Sequence, residues 1–338
     1  MNLTHHHPLP GCRRLLALAA PCLALSLLAL TGAAQAQSQT QSVDFSRKPI
    51  TLVVPFAPGG GTDSIAREMA RHLSDRLKTT IVVDNKGGAG GAIAAASVAK
   101  APADGHTLLF VTSTFVTHAA FDPAPSYHPL KDFAPVAMLG RGPLLVVSSK
   151  ASGILSLAQL MQTAKKNPGD VTYCSAGPGS INHLAAELYA QLAGVTMTHV
   201  PYKGSGPATL DLIAGRTQIF FATVPTIRAQ VQEDRVNVLA VTSRTRSSLY
   251  PDVPTVMESG LNGYDVSTWW GVAAPAGTPA NVVNALNAAI NAVSPAIKDR
   301  LLSEGATPFS DSPDAFGQMI SAELDDWRRV LKADGQGK

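Results

Sequence analysis

The sequence predicts an α/β fold of two lobes, each with a mostly parallel sheet flanked by helices, and a ligand cleft between them. Three observations predict it: short apolar runs alternate with amphipathic segments of helical period, the alternation restarts midway along the chain, and glycine-rich turns follow several of the runs. Parallel strands need a crossover connection, and helices of roughly ten to fifteen residues supply it.

Arg13 and Arg14 precede an uncharged apolar run from Leu15 to Leu30, with Ala34-Gln35-Ala36 behind it. The run is shorter than the roughly 20 residues that span a bilayer, so residues 1–36 read as a secretory signal cleaved near Ala36 rather than as an anchor. Pro21 before Cys22 argues against a lipoprotein, and the export route stays open. The polar stretch Gln35 to Gln41 then forms the new N-terminus.

The first strand is the run Ile50 to Val54. A turn through Pro58 to Gly61 leads to a helix in which Ile65, Met69, Leu73 and Leu77 recur every four residues, while Arg67, Arg71, Asp75 and Lys78 fall on other faces. The strand Ile81 to Val83, the glycines Gly87 to Gly91, an alanine-rich helix to Lys100 and the strand Leu108 to Thr112 complete a βαβαβ unit. After Val147 the pattern restarts: a helix from Ser156, the strand Val171 to Cys174, a helix from Ser180, the strand Met197 to Val200, a helix from Ser205 and the strand Gln218 to Phe221. A strand near Val238 to Val241, an irregular segment Tyr250 to Gly263 and a strand Val266 to Ala273 follow. Two helices, one from Pro279 and one capped by Ser312-Pro313, return to the first lobe. The domains expected are residues 45–145 with 265–338, and residues 146–264.

Composition narrows the function. The formal charge is +3 and falls to +1 when Arg13 and Arg14 leave (3 − 2), with basic residues dispersed among acids and a charged fraction of 15%. No basic run interleaved with aromatics suggests a nucleic-acid partner. Of the three cysteines only Cys174 lies beyond the signal, so no internal disulfide can form and the core alone must hold the fold. Cys174 itself reads as a small buried hydrophobe.

One construction is used three times: a strand, a glycine-rich turn, then a helix with small polar residues in its first turn. The instances are Gly59-Gly60-Gly61-Thr62-Asp63, Gly177-Pro178-Gly179-Ser180 and Lys203-Gly204-Ser205-Gly206-Pro207. The first N–H groups of a helix lack internal partners and the macrodipole places roughly +0.5 charge there, so an anion finds donors without a charged side chain. Thr62, Ser180 and Ser205 also read as ordinary N-caps. All three turns fall at the carboxyl ends of strands expected to be parallel, the edge where open α/β sheets bind ligands. Asp63 is either structural or an acceptor for a ligand amine or hydroxyl. His183 is expected on a partly exposed position beside a buried stripe of Ile181, Leu184, Leu188 and Leu192, neutral at pH 7 because a positive dipole end disfavours imidazolium. Lys203 pairs with a carboxylate or is a solvated surface lysine.

Motifs of catalysis and metal binding are absent: there is no G-x-S-x-G, no H-E-x-x-H, no cysteine pair, and the run at Gly59 lacks the Lys-Ser/Thr of a phosphate loop. Neither a catalytic role, a metal nor a cofactor is expected. A Ser180–His183 hydrolase is the remote alternative, though nothing in the sequence supplies an orienting acid.

Several segments together resemble the periplasmic receptors of tripartite tricarboxylate transporters, often called the Bug family. They are Pro49-Ile50 through Asp63, Val83-Asp84-Asn85-Lys86-Gly87-Gly88-Ala89-Gly90-Gly91, Ala101 to Leu108, Gly179-Ser180 with His183 to Glu187, Val200 to Gly204, Tyr250 to Thr255, and Trp269-Trp270-Gly271 with Pro275 to Pro279. The resemblance implies a periplasmic binding protein-like fold that closes on a small carboxylate. It further implies that the loop Phe56-Ala57-Pro58-Gly59-Gly60-Gly61 to Asp63 and the loop Ala176-Gly177 to Ser180 hold the carboxylate, while Ser113, Thr114, Lys203-Gly204 and Thr223 line the cleft. His183 and Lys203 complete the candidate site.

Two departures bear on the ligand. Lys86-Gly87 stands where many relatives have Arg-Pro, and Ala222-Thr223-Val224 stands where many have an acid, which makes an amino-acid ligand less expected. The resemblance implies a periplasmic solute receptor for a di- or tricarboxylate or an aromatic acid, delivering it to integral-membrane transporter subunits; a monomer is expected, because extensive burial of both lobes would impede closure of the cleft. The alternative is a sensor whose closed form engages a membrane signalling partner.

Overall fold

The computed structural model describes residues 43–333, so the signal reading of residues 1–36 lies outside the described residues. In chain order the elements are β1 (Ile50–Val54), α1 (Gly61–Leu77), β2 (Ile81–Asn85), α2 (Ala92–Ala99), β3 (Thr107–Thr112), α3 (Ser113–Phe121), β4 (Phe133–Ser149), α4 (Leu157–Lys166), β5 (Thr172–Ser175), α5 (Ile181–Ala193), β6 (Thr198–Pro201), α6 (Ser205–Ile213), β7 (Ile219–Thr223), α7 (Val224–Gln232), β8 (Val236–Val241), β9 (Ser267–Pro275), α8 (Ala280–Ser303), β10 (Thr307–Pro308) and α9 (Pro313–Ala333). The α/β class holds, and each expected helix and strand is found within a few residues of its expected place.

The strands run β2-β1-β3-β9-β4-β7-β5-β6, with β8 and β10 also paired to β4. Pairing is parallel on the two flanks, β1 with β2 and β3, and β5 with β6 and β7. The middle is antiparallel: β4 runs against β7, β8, β9 and β10, and β9 also runs against β3. The periodicity did not reveal β4. Pro135, Gly140, Gly142 and Pro143 sit at or near its register shifts and at the point where the strand changes partners. Phe133 to Pro143 pair with β9, and Leu144 to Ser149 pair with β7 and β8. Gly142 is required there by close approach: a Cβ would lie 2.5 Å from the Gly305 carbonyl oxygen.

The core follows this division. Ile65, Met69 and Leu73 of α1 pack with Ile50, Leu52 and Val54 of β1 and with Leu286 and Ile290 of α8. Each of these side chains is almost wholly buried, a contribution of about 1.5–3 kcal/mol apiece before chain entropy is charged. Beyond Leu144 a separate cluster joins Val146, Tyr173, Leu184, Tyr189 and Phe221. The last helix serves both: Phe316, Ile320 and Leu324 pack with Trp269 and Phe133, whereas Trp327 and Leu331 pack with the second cluster. Cys174 is fully buried, and burial pushes its thiol up to about 12.

Candidate functional site

The helices that follow β1, β3, β5, β6 and β7 all begin at one cavity. The cavity has a volume of about 350 Å³. One wall is the turn Phe56 to Thr62 at the start of α1, with Thr112 and Thr114 at the start of α3 and Thr268 of β9. The other wall is Ile181 and Asn182 of α5, Gly204, Ser205, Gly206, Thr209 and Leu210 of α6, and Thr223, Pro225, Thr226 and Gln230 of α7. Five helix N-termini therefore converge on it, two from the first sheet and three from the second. No Asp, Glu, Lys, Arg or His is among the lining residues.

The caps sort these helices into two groups. Thr112 caps α3 by accepting from the Thr114 N–H, and Ser180 caps α5 by accepting from the His183 N–H. The N-caps of α1, α6 and α7 are Gly60, Gly204 and Thr223, and none makes a side-chain cap hydrogen bond. Thr62 and Ser205 thus do not act as the N-caps their residue types suggest; the helices begin earlier, placing both inside the first turn. The consequence is that three helix ends keep first-turn N–H groups with no capping side chain where the cavity begins.

Asp63 holds this arrangement from behind. Its carboxylate lies outside the lining, is 4% exposed, and accepts from the Gly59 N–H (3.0 Å), Arg67 Nε (2.9 Å) and Asn85 Nδ2 (2.9 Å). Burial opposes ionisation, but the hydrogen bonds from Arg67, Gly59 and Asn85 outweigh it and hold the carboxyl below the ordinary range. Asn85 also donates to the Phe56 carbonyl at 3.0 Å. The β2 loop thereby pins the first glycine turn, a role no spacing in the sequence indicates.

Of the other expected site residues, Phe56, Ala57, Pro58, Gly59, Gly60, Gly61, Thr114, Gly204 and Thr223 are brought together on the cavity. Ser113 is buried just behind it, its hydroxyl 2.9 Å from that of Thr268. Lys203 is exposed and outside the lining. Ala176, Gly177 and Ser180 are buried. Their turn is held against α3, with Thr117 Oγ1 donating to the Gly179 carbonyl at 2.7 Å and the Ile181 N–H donating to Thr114 Oγ1 at 3.3 Å. Ile181 and Asn182, not Ser180, form the cavity wall there.

His183 is corrected in two respects. It is buried, not partly exposed, and Leu192 of the expected stripe is 41% exposed while Tyr189 takes the buried place. The ring stacks on His199 at 4.1 Å and meets Phe121 edge-on at 5.2 Å. Burial lowers it to about 4, so it is neutral at pH 7 through desolvation, a cause other than the dipole. His199 is also lowered to about 4, by burial and then by His183. A Ser180–His183 catalytic pair is not formed. Ser180 Oγ donates to the Gly177 carbonyl at 2.7 Å, and His183 Nδ1 accepts from the Gly179 N–H at 3.2 Å. Among the described residues no group of three or more His, Cys, Asp or Glu could hold a metal.

Sequence reasoning missed Thr112, Asn182, Thr209, Thr226, Gln230 and Thr268. A signal existed for α7: Thr223, Thr226 and Gln230 recur at helical spacing along one face.

Comparison with known proteins places these features in context. The sequence model for the tripartite tricarboxylate transporter family receptors matches residues 65–336. A UPF0065 protein from the tcbD-tcbE intergenic region of Pseudomonas sp. (strain P51) is 40% identical over 298 residues, covering 87% of this chain and 89% of that one. Among solved structures, R. palustris Rpa4515 with adipate superposes with a TM-score of 0.83 at 36% identity, covering 86% of this chain and 99% of that one. The periplasmic binding protein BugD superposes with a TM-score of 0.82 at 32% identity, with 86% and 99% coverage.

Proposed function

The chain belongs to the tripartite tricarboxylate transporter receptor family, a family of solute receptors rather than enzymes, and on that premise we propose that it is an exported periplasmic receptor that closes on a small carboxylate and delivers it to a membrane transporter. The observation that carries this reading is the set of uncapped helix ends, α1 on one side of the cavity and α6 and α7 on the other, in a wall with no charged side chain. Each end carries roughly half a positive charge and a set of oriented N–H groups, so an anion is held by fixed dipoles. The ligand class is a di- or tricarboxylate or an aromatic acid, and the adipate held by Rpa4515 is of that kind.

The moving bodies are residues 45–145 with 265–338, and residues 146–264, with the hinge close to where β4 changes partners after Pro143. A ligand shifts such an equilibrium only by the contacts it makes in the closed form alone, and a cavity walled from both bodies supplies those contacts. The receptor acts as a monomer, since closure requires the two bodies to move freely.

A thermal-shift screen of the chain without residues 1–36, against mono-, di- and tricarboxylates and aromatic acids, tests the function. Ligand at 100 times its Kd stabilises by about 2.7 kcal/mol. A shift for one carboxylate class supports the receptor reading, and silence from every carboxylate refutes it.

A further inference from the structure

The glycine turn between β5 and α5 keeps its N–H groups for its own body and gives two of its carbonyls to the other. The Gly177 N–H donates to Ser175 Oγ at 3.0 Å, the Gly179 N–H to His183 Nδ1 at 3.2 Å and the Ser180 N–H to the Gly177 carbonyl at 3.2 Å. The Pro178 and Gly179 carbonyls instead meet α3 of the first body. Thr117 Oγ1 donates to the Gly179 oxygen at 2.7 Å, and His118 Nδ1 stands 3.3 Å from the Pro178 oxygen. Glycine permits this approach on two sides of the His118 ring. A Cβ on Gly90 would lie 2.9 Å from His118 Nδ1 and 3.2 Å from the Pro178 oxygen, and one on Gly179 would lie 2.9 Å from the same Nδ1 and 3.1 Å from His118 Cα. Thr117 and His118 are buried and stand outside the cavity lining, so neither touches what the cavity holds.

We propose that Thr117 is a positioning residue: with His118 beside it, it clasps the second glycine turn, holds the two bodies in the closed form, and so raises affinity for every ligand by one factor without contacting any. The proposal rests on the two-body receptor reading above. In the open form water satisfies the Pro178 and Gly179 carbonyls. In the closed form α3 alone supplies their donors, and these bonds favour closure whatever the cavity contains. Apparent Kd is the intrinsic Kd divided by the fraction of binding-competent protein, so a residue that acts only on that fraction scales all ligands together. A residue in the cavity wall scales each ligand differently, according to the groups it meets.

Two variants of the chain lacking residues 1–36 test this, with adipate, citrate and benzoate as probes. Thr117→Val keeps the shape of the side chain and leaves the Gly179 carbonyl without its donor, whereas Thr117→Ser keeps the donor. Calorimetry should find Thr117→Val weaker for every probe that the unaltered chain binds, by one common factor of roughly tenfold. Stopped-flow kinetics should place that loss in faster dissociation, because the bond forms only on closure. The ligand-free melting temperature should be unchanged, since the open form does not make the bond, and Thr117→Ser should bind as the unaltered chain does. Unchanged affinity of Thr117→Val, factors that differ between probes, or a ligand-free melting temperature that falls as well overturns the clasp while leaving the carboxylate receptor intact. No binding of any probe by the unaltered chain overturns both.

Discussion

Replacing Gly61 by alanine should abolish tight ligand binding without harming the fold. Gly61 is the first residue of α1 and faces α7 across the cavity: an added Cβ would lie 1.9 Å from Pro225 Cβ and 2.9 Å from the Pro225 Cα and carbonyl carbon. Carbon atoms at optimal separation sit about 3.5–4.0 Å apart, so the shortfall against Pro225 Cβ is about 1.6–2.1 Å. Side-chain rotation cannot relieve it, because the obstructing atoms are a proline ring and its backbone. Within α1 the change is favourable or neutral, as alanine exceeds glycine by about 0.8–1.0 kcal/mol in a helix interior. The strain therefore falls on closure. If the closed form becomes about 3 kcal/mol less favourable, apparent affinity falls more than about 100-fold, at 1.4 kcal/mol per decade. Calorimetry with whichever carboxylate the screen identifies measures this, and Pro225→Gly in the same chain should restore part of the affinity. Binding of Gly61→Ala within twofold of the unaltered protein would refute closure through this contact.

Other outcomes follow from the buried groups. Asp63→Asn should destabilise the chain by about 1–3 kcal/mol in urea unfolding, because a buried carboxylate with three donors is replaced by a group that cannot accept from all of them. The carboxyl is held below its ordinary value of 3.8, so its contribution is present above that value and lost as pH falls through the lower folded value. His183 and His199 titrate at about 4 in the fold against an ordinary 6.5, so the unfolded chain binds more protons between those values and stability falls as pH drops from 6.5 towards 4. His199→Gln should flatten that slope, measured as unfolding free energy at pH 5 and pH 7.5. Glu323 works in the opposite direction: burial raises it to about 7 while its carboxylate accepts from Trp269 Nε1 at 2.6 Å. Glu323→Gln keeps the acceptor and removes the titration, so its melting temperature should gain on the unaltered protein as pH rises from 5 to 8, and a constant difference would rule that account out.

The order of strands and helices was legible because periodicity survives wherever an element buries one face, as with Ile65, Met69 and Leu73. It failed at β4, where prolines and glycines serve a change of strand partner, and at α3 and α7, which follow their strands with no intervening loop. At the site, glycine turns were visible as backbone features. Side chains were not: Asn182, Thr268 and Gln230 reach the cavity from elements distant in sequence, and nothing in their neighbours marks them. His183 reads as a surface position because the stripe was phased on leucines, whereas the packed face of α5 includes Tyr189 and turns His183 onto His199.

By itself the sequence determined the α/β class, the places where helices begin on glycine, and a family resemblance carried by many short segments. These are local properties, set by side-chain period and by the conformations open to glycine. Tertiary structure alone decided which helix ends stay uncapped, that Asp63 braces the first turn instead of lining the cavity, and that Gly61 meets Pro225 across it. Those depend on distances between residues far apart in the chain, and a one-dimensional pattern carries no such distances.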